Sequence, residues 1–201
     1  MIKVAAFDIG KVLLDFDYGI FVRRMAPRTR MDVPALDAFL NQSQLLAQYE
    51  SGQLTSPEFF AVVQKETGFD GTESEFAAHF EDIFTPIDEV ISLHATLAAS
   101  GLPTYTLSNT NEMAVRHISR AYDFWPRFTG HILSHEVGTL KPNQKIYEIF
   151  EQTTGCHSAE IIYIDDLSEN IAAAAARGWH AIEHRNGKDT AEAFEYLGVL
   201  C

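Results

Sequence analysis

Five apolar runs of five or six residues alternate with segments of helical periodicity, and this alternation constrains the fold more than any other feature of the chain. The runs cover residues 2–7, 102–107, 130–134, 160–164 and 180–184. The helix expected between the last two runs has Ser168 as its N-cap and Gly178 just beyond its C-terminus. Because strands separated by helices favour parallel pairing, the sequence predicts an α/β fold with a parallel sheet.

The strand pattern disappears between Asp17 and about Pro86, where apolar residues recur at helical spacing instead. Thr55 and Glu58 have the spacing of a capping box, and Pro57 lies in the first turn of the helix that they begin. The sequence therefore predicts a helical insertion of roughly 70 residues after the first strand. Its core is expected to contain phenylalanines that recur at helical spacing, namely Phe59, Phe60, Phe76, Phe80 and Phe84.

The overall charge of the chain limits its partners. There are 15 Lys and Arg against 28 Asp and Glu, so the formal net charge is −13. Nucleic acids and anionic membranes need a basic face, and we therefore expect neither as a partner. No stretch approaches the ~20 apolar residues of a membrane span, and the segment before Asp8 is too short for a signal-peptide core. With only Cys156 and Cys201 and no disulfide framework, the expected location is the reducing cytoplasm.

Polar and charged side chains follow four of the five apolar runs, where buried strands are expected to end. They are Asp8 after the first run, Ser108 and Asn109 after the second, Lys141 in the loop after the third, and Asp165 and Asp166 after the fourth. Ligands of open parallel sheets bind at the carboxyl ends of the strands. Because buried charges are tolerated only when they are paired or bind a metal, we expect these residues to meet in one site.

This combination of groups is typical of phosphoryl transfer. A carboxylate can attack phosphorus and form an acyl phosphate. Mg²⁺ prefers oxygen ligands and bridges carboxylates to a phosphate group. An ammonium and a hydroxyl can bind the remaining phosphoryl oxygens. The residues therefore predict a Mg²⁺-dependent reaction of a phosphate ester at this edge of the sheet.

Four motifs that contain these residues, FDIGKVLLDFD, LSNTN, LKPNQKIYEIF and IDDLSENI, resemble in chain order those of the haloacid dehalogenase (HAD) superfamily. The resemblance implies a core of residues 1–17 and 86–201, with a Rossmann-like parallel sheet and helices on both faces. It implies that residues 18–85 form an inserted all-helical cap of the C1 type. The motifs more closely resemble the subgroup that contains alpha-D-glucose-1-phosphate phosphatase. The segment YESGQLTSPEF, residues 49–59, resembles the part of such caps that lies over the active site.

The resemblance also implies which residues would attack the substrate and hold the metal. Asp8 would be the nucleophile and a Mg²⁺ ligand, and the carbonyl of Gly10 would be a second ligand. Asp166 would bind the metal directly, and Asp165 would bind it through water.

The other motif residues would, by the same resemblance, bind or support the phosphoryl group. Ser108 and Lys141 would hold its oxygens during catalysis, with Asn109 in support. Asn170 would support the loop of the fourth motif.

Gly10 departs from the pattern of most phosphatases in the superfamily, which carry a second aspartate at this position. That aspartate protonates the leaving group and later activates water, so glycine removes the usual acid–base group and keeps only the backbone carbonyl. The subgroup that the motifs resemble also has glycine here, so inactivity does not follow. The proton would then come from water, a cap residue or the substrate. Lys11 also differs from the small or amide residue that is usual at its position.

The predicted function is a Mg²⁺-dependent phosphatase that acts on a small phosphorylated metabolite, such as a sugar phosphate, through an aspartyl-phosphate intermediate. Three alternatives remain open. A phosphate-binding pseudoenzyme would have lost its catalytic activity because residue 10 is no longer an acid. A signalling receiver module uses similar groups, but its acidic pair ends the first strand and no cap intervenes. A 2-haloacid dehalogenase does not need the metal-binding pair that Asp165 and Asp166 supply.

Overall fold

A computed structural model describes residues 1–41, 43–81 and 83–199 of the chain. Its strands are β1 (Val4–Phe7), β2 (Leu14–Phe16), β3 (Phe84–Pro86), β4 (Thr104–Ser108), β5 (Gly130–Leu133), β6 (Ile161–Asp165) and β7 (His180–Glu183). Five of these strands form one parallel sheet in the order β5-β4-β1-β6-β7. They match the five apolar runs of the sequence, so the predicted parallel α/β fold is confirmed.

The helices are α1 (Tyr18–Met25), α2 (Val33–Leu40), α3 (Gln44–Glu50), α4 (Ser56–Thr67), α5 (Glu73–Glu81), α6 (Asp88–Ala99), α7 (Glu112–Ala121), α8 (Ser134–Val137), α9 (Gln144–Thr154), α10 (Ser168–Ala176) and α11 (Gly187–Tyr196). The capping box of Thr55 and Glu58 begins α4 as predicted.

The prediction that Ser168 is the N-cap of α10 is wrong by one residue. Leu167 is the N-cap of α10, and its N–H donates to Asp165 Oδ1 at 2.8 Å. In the part of the chain that the structure describes, no helix is long and apolar enough to span a membrane.

β1 lies at the centre of the parallel sheet, with β4 hydrogen-bonded to one edge and β6 to the other. All four of its residues are buried. Ala5 and Phe7 pack into a hydrophobic cluster on one face, and Val4 and Ala6 pack into a second cluster on the other face. A strand that is buried on both faces reads as a continuous apolar run, which explains the clear sequence signal.

Helices cover both faces of the sheet. Val90 and Leu97 of α6 and Phe194 of α11 belong to the first cluster, together with residues of α7. Tyr147 and Phe150 of α9 belong to the second cluster, together with residues of α10. The Rossmann-like arrangement that the motifs implied is therefore confirmed.

Helices α1 to α5 pack around a third hydrophobic cluster. Its buried members include Phe21, Met25, Phe59, Phe76 and Phe80, and Phe60 and Phe84 pack against it. The predicted phenylalanines therefore do contribute to the core of this helical segment. The division of the chain into a core (1–17 and 86–201) and a cap (18–85) stays a prediction.

Two strands that the sequence did not predict, β2 and β3, lie at the two ends of the helical segment and pair with each other. β2 and β3 form a two-stranded antiparallel ladder in which Leu14 faces Pro86 and Phe16 faces Phe84. The expectation of an all-helical insertion up to residue 85 is to that extent wrong. Each of these strands has only three residues, and Asp15 interrupts the apolar pattern of β2, so neither gives a periodic signal.

Candidate active site

Asp8 is the first residue beyond β1, at the middle of the carboxyl edge of the sheet. Its N–H donates to the carbonyl of Ile164 in β6 at 2.9 Å, and its Oδ1 accepts the N–H of Ile9 at 2.8 Å. The residue is only 7% exposed. The central strand thus places a carboxylate in a buried position between the ends of β4 and β6.

Lys141 bonds groups near the carboxyl ends of three strands, β1, β4 and β6. Its Nζ lies 3.0 Å from Asp8 Oδ1 and donates to Asp165 Oδ2 at 2.6 Å. A third bond runs from Nζ to the carbonyl of Leu107 at 2.9 Å. Lys141, Asp8 and Asp165 are all buried, so the sequence-predicted lysine and two of the predicted carboxylates meet in one cluster.

This cluster carries more negative than positive charge. Burial raises the pKa of Asp8 to about 7; Lys141 opposes the shift and Asp165 adds to it. For Lys141, burial by itself would lower the pKa, but the carboxylates of Asp8 and Asp165 outweigh it and hold the pKa above its ordinary value. Asp166 adds a third acid, whose pKa is also raised, first by burial and then by the charge of Asp165. A bound cation would relieve this repulsion.

The three carboxylates have the geometry of a metal site. Asp8, Asp165 and Asp166 each offer an oxygen, and these oxygens lie within 4.8 Å of one another. Mg²⁺ is bound through carboxylate, carbonyl and water oxygens, so this donor set fits it. These are the three carboxylates that the resemblance assigned to the metal, and Gly10, the fourth assigned ligand, lines the same cavity as Asp8 and Asp166.

Asp165 and Asp166 differ in the donors that already surround them. Besides Lys141, Asp165 accepts hydrogen bonds from the hydroxyl of Tyr163, from the N–H of Leu167 and from Asn170 Nδ2. Its lone pairs are largely engaged, whereas Asp166 is only half-buried and lines the cavity. This difference supports direct binding of a metal by Asp166 and binding through water by Asp165.

Asn170 offers one further acceptor near the carboxylates. Its Nδ2 lies 2.9 Å and 3.1 Å from the two oxygens of Asp165, which fixes the orientation of that carboxylate. Its Oδ1 is buried and has no hydrogen-bond partner among the described residues. Such an acceptor suits a water molecule on a metal ion, because a buried acceptor without a partner is costly.

Ser108 and Asn109 end β4 next to this cluster. The hydroxyl of Ser108 lies close enough to Asp8 to lower the pKa of that carboxyl, against the larger effect of burial. Asn109 forms hydrogen bonds with both the N–H and the carbonyl of Lys141. Its Oδ1 accepts the N–H of Lys141 at 2.7 Å, and its Nδ2 donates to the carbonyl at 3.0 Å. Asn109 therefore positions the lysine, and Ser108 presents a hydroxyl beside the carboxylate.

Two adjoining cavities open over this edge of the sheet. One, here called the polar cavity, is lined by Asp8, Lys141 and Asp166. The other, here called the apolar cavity, is walled by apolar side chains, including Ile83, Phe84 and Ile118, and also touches Ser108 and Asn109. Five residues line both cavities and mark their boundary, namely Gly10, Phe16, Tyr18, Glu50 and Asn109.

Gly10 is explained by the space around it. A Cβ on Gly10 would lie 2.8 Å from Cε1 of Phe16, closer than such atoms approach in proteins. The left-handed backbone angle in this turn belongs to Lys11, with a φ of +56°. The Nζ of Lys11 pairs with Asp15 and donates to the carbonyl of Phe16 at 3.0 Å. Lys11 is thus bound at the rim of the polar cavity.

The sequence reasoning missed Phe16 and Ser134. Phe16 lies in an unpredicted strand and lines both cavities, and Ser134 bonds the backbone of the segment that contains Glu50. Phe16 lies within the first motif but has no role assigned by it, and Ser134 lies outside the four motifs. Both act through contacts with residues that are distant in the sequence or separated by a turn, so no local pattern reveals them.

Known proteins resemble this chain along most of its length, although no protein-family profile matches it. It is 27% identical to the sesquiterpene phosphatase of Aspergillus oryzae over 179 residues, which cover 88% of this chain and 86% of that protein. It is 23% identical to the D-ribitol-5-phosphate phosphatase of Bacteroides thetaiotaomicron over 206 residues, which cover 94% and 95%.

A solved structure has the same fold. It is a wild-type HAD-family enzyme from Bacteroides thetaiotaomicron in complex with magnesium and inorganic phosphate, and its TM-score to this chain is 0.82. The two chains are 21% identical, and the match covers 96% of this chain and 100% of that one. The chain therefore has the fold of HAD-family enzymes. Two curated phosphatases are among its relatives, which agrees with the prediction of a phosphatase. Its placement in the glucose-1-phosphate phosphatase subgroup stays a prediction.

Proposed function

We propose that this protein is a Mg²⁺-dependent phosphatase of the HAD superfamily that hydrolyses a small phosphorylated metabolite through an aspartyl-phosphate on Asp8. The observation that carries the proposal is the cluster of buried Asp8 and Asp165 with half-buried Asp166, whose oxygens lie within 4.8 Å of one another. The ammonium of Lys141 pairs with Asp8 and Asp165 in this cluster. A nucleophilic carboxylate, oxygen ligands for a cation and a separate ammonium are the groups that phosphoryl transfer requires.

The residues divide the reaction between them. One oxygen of Asp8 attacks phosphorus while the bond to the leaving oxygen breaks. Water then attacks the phosphorus, which releases inorganic phosphate and restores the carboxylate. Lys141 Nζ and the hydroxyl of Ser108 lie beside Asp8 and would bind phosphoryl oxygens throughout. Mg²⁺, when bound by Asp8, Asp166, the Gly10 carbonyl and, through water, Asp165, would neutralise charge on the phosphoryl group.

The organic part of the substrate would occupy the apolar cavity, because that cavity adjoins the carboxylates and touches Ser108. The names of the two curated relatives refer to a sesquiterpene and to ribitol 5-phosphate, which differ strongly in polarity. We propose a sugar phosphate as the substrate, with its hydroxyls toward Glu50 and Asn109 and an apolar ring face against Phe84.

The alternative functions make different demands on the site. A 2-haloacid dehalogenase would give Asp165 and Asp166 no function, although their carboxylates lie with that of Asp8 in one cluster. A non-catalytic phosphate-binding protein or signalling module would need the same phosphate contacts but no leaving-group cavity, and a cavity adjoins the carboxylates here. Both observations favour the phosphatase.

A screen of sugar, polyol, aryl and prenyl phosphates, with Mg²⁺ present or chelated, tests this function. We expect phosphate release that requires Mg²⁺ and that falls at least about 10³-fold in Asp8→Asn, because an amide does not attack phosphorus. Asp123→Asn, at an exposed position that lines neither cavity, is the control and should retain activity. Full activity in a folded Asp8→Asn protein, or no hydrolysis of any ester by the wild type, would reject the proposal.

A further inference from the structure

Glu50 lies at the boundary between the polar cavity and the apolar cavity. It is the last residue of α3 and lines both cavities, together with Gly10. If the phosphoryl group lies in the polar cavity and the organic group in the apolar cavity, the P–O bond that breaks crosses this boundary. Glu50 therefore lies where a group that protonates the leaving oxygen is required.

The carboxylate of Glu50 is not engaged elsewhere. Within residues 1–41, 43–81 and 83–199 it has no hydrogen-bond or ion-pair partner, and the influences on it are burial and the charge of Asp8. A largely buried acid without a partner is costly, and structural acids in proteins are normally paired. We therefore expect the Glu50 carboxyl to form its hydrogen bond with the bound substrate.

The backbone around Glu50 is fixed to α7 and α8 by several contacts. Its carbonyl accepts a hydrogen bond from Ser134 Oγ at 2.5 Å. The hydroxyl of Tyr49 accepts the N–H of Met113 at 3.1 Å. Gly52 lies so close to α8 that a Cβ on it would be 2.2 Å from the carbonyl oxygen of His135. These contacts hold the carboxyl of Glu50 in place, as a proton donor requires.

The position that most related phosphatases use for the acid is closed in this chain. Gly10 has no side chain, and the ring of Phe16 fills the space where one would begin. The nearest ammonium in the same turn, Lys11 Nζ, is bound by Asp15. Of the protonatable side chains that line both cavities, Glu50 is the carboxylic acid and Tyr18 is a phenol.

We propose that Glu50 is the general acid that protonates the leaving oxygen and the general base that activates water in the second step. This inference rests on the proposed phosphatase function. In the first step Asp8 bonds to phosphorus, the P–O bond to the organic group breaks, and the leaving oxygen takes the proton of Glu50 and departs as an alcohol. In the second step water gives a proton to Glu50 and its oxygen to phosphorus, and the acyl-phosphate bond breaks. The net reaction consumes one water and returns both carboxyl groups to their starting states.

The protonation state of Glu50 suits both steps. Burial, and to a smaller extent the charge of Asp8, raise the pKa of Glu50 to about 7. No hydrogen bond joins Glu50 to Asp8 in the described residues, and burial is the larger cause. The other charged or titratable groups that line these cavities are Asp8, Lys11, Asp17, Tyr18, Lys141 and Asp166. Near neutral pH, Glu50 can therefore both give and accept a proton.

The test is the dependence of kcat/KM on the basicity of the leaving group. A series of aryl phosphates with graded phenol acidity and one alkyl phosphate are the probes, with wild type, Glu50→Gln, Glu50→Asp and the control Glu66→Gln. Glu66 is exposed on α4, in the same helical segment, and lines neither cavity. We expect Glu50→Gln to lose about 10²- to 10⁴-fold on the alkyl phosphate but only a few-fold on 4-nitrophenyl phosphate, whose leaving group needs little protonation. Glu50→Asp should recover part of the loss, and Glu66→Gln should match the wild type.

A second readout is the pH profile of kcat/KM for the alkyl phosphate. In the wild type kcat/KM should decrease as pH rises and Glu50 loses its proton, and this decrease should be absent in Glu50→Gln. An equal loss on every ester, or a change in KM alone, would show that Glu50 only binds substrate and would overturn the inference. Asp8→Asn, measured on 4-nitrophenyl phosphate, separates the two proposals. If Asp8→Asn is inactive while Glu50→Gln keeps wild-type activity on all esters, the phosphatase function is supported and the proposed role of Glu50 is rejected.

Discussion

The ring of Phe16 occupies the space in which a side chain at Gly10 would begin, with only 2.8 Å between Phe16 Cε1 and an ideal Cβ on the glycine. Phe16 is held there by edge-on ring contacts with Tyr18 and Phe84, at centroid distances of 5.6 Å and 6.3 Å. The missing aspartate of the first motif is therefore not a simple deletion of one group. The unpredicted strand β2 supplies the residue that closes the position.

Gly10→Asp should destabilise the protein by about 1–3 kcal/mol, because the new side chain must displace the ring of Phe16. In the double variant Gly10→Asp/Phe16→Ala the clash is absent, so the two changes should be non-additive. Urea unfolding of the four proteins of this cycle measures the coupling. Strictly additive free energies of unfolding would show that the ring moves aside without cost.

Asp166→Asn should weaken Mg²⁺ binding about 10-fold or more, because it removes a charged ligand that lines the polar cavity. The measurement is the Mg²⁺ concentration that half-saturates the rise in Tm of the protein on addition of the ion. Glu195→Gln, at an exposed site on α11, is the control for the loss of one negative charge. An unchanged midpoint in Asp166→Asn would exclude this residue from the metal site.

Ser134→Ala should release the segment that carries Glu50. Ser134 Oγ donates to the carbonyl of Glu50 at 2.5 Å and accepts the N–H of Thr110 at 2.9 Å, so its loss leaves buried groups unpaired. We expect a loss of stability of about 1–3 kcal/mol and a lower kcat on an alkyl phosphate. Ser119→Ala, at an exposed position on α7, should change neither quantity. A stability loss with an unchanged kcat would mean that this bond does not position Glu50.

His94 should make folding stability sensitive to acid. It is fully buried, its Nε2 bonds the hydroxyl of Thr104 at 3.0 Å, and its ring stacks on Phe128. Burial lowers the pKa of His94 to about 4, and the charge of Arg127 acts in the same direction. Between about pH 6.5 and pH 4 the unfolded chain therefore binds a proton that the folded chain does not, and stability falls as pH falls.

Urea unfolding at pH 7 and pH 5 measures this effect. The stability difference between wild type and His94→Gln should shrink by about 1–2 kcal/mol at the lower pH, because only the wild type has the histidine to protonate on unfolding. His79→Gln, on α5, is the matched control. An equal difference at the two pH values would mean that His94 keeps its ordinary pKa in the folded protein.

The sequence by itself determined the parallel sheet and the positions at which its strands end. Apolar runs buried on both faces are strong local signals, and parallel pairing brings all their carboxyl ends to one edge. Asp8, Lys141 and Asp165 were therefore expected to meet, and Lys141 Nζ lies within 3.0 Å of both carboxylates. That inference needed only the order of the elements, because the sheet geometry supplies the rest.

Only the tertiary structure decided what surrounds that cluster. The closure of Gly10 by Phe16, the ladder of β2 with β3 and the position of Glu50 depend on contacts that leave no periodic pattern in the sequence. The bond from Ser134 to the Glu50 carbonyl joins residues 84 positions apart. Contacts of this kind are fixed when helices and strands pack, since packing depends on side-chain shape across the whole core. The sequence could predict the strand-end groups of the site, and the fold decided which side chains lie over them.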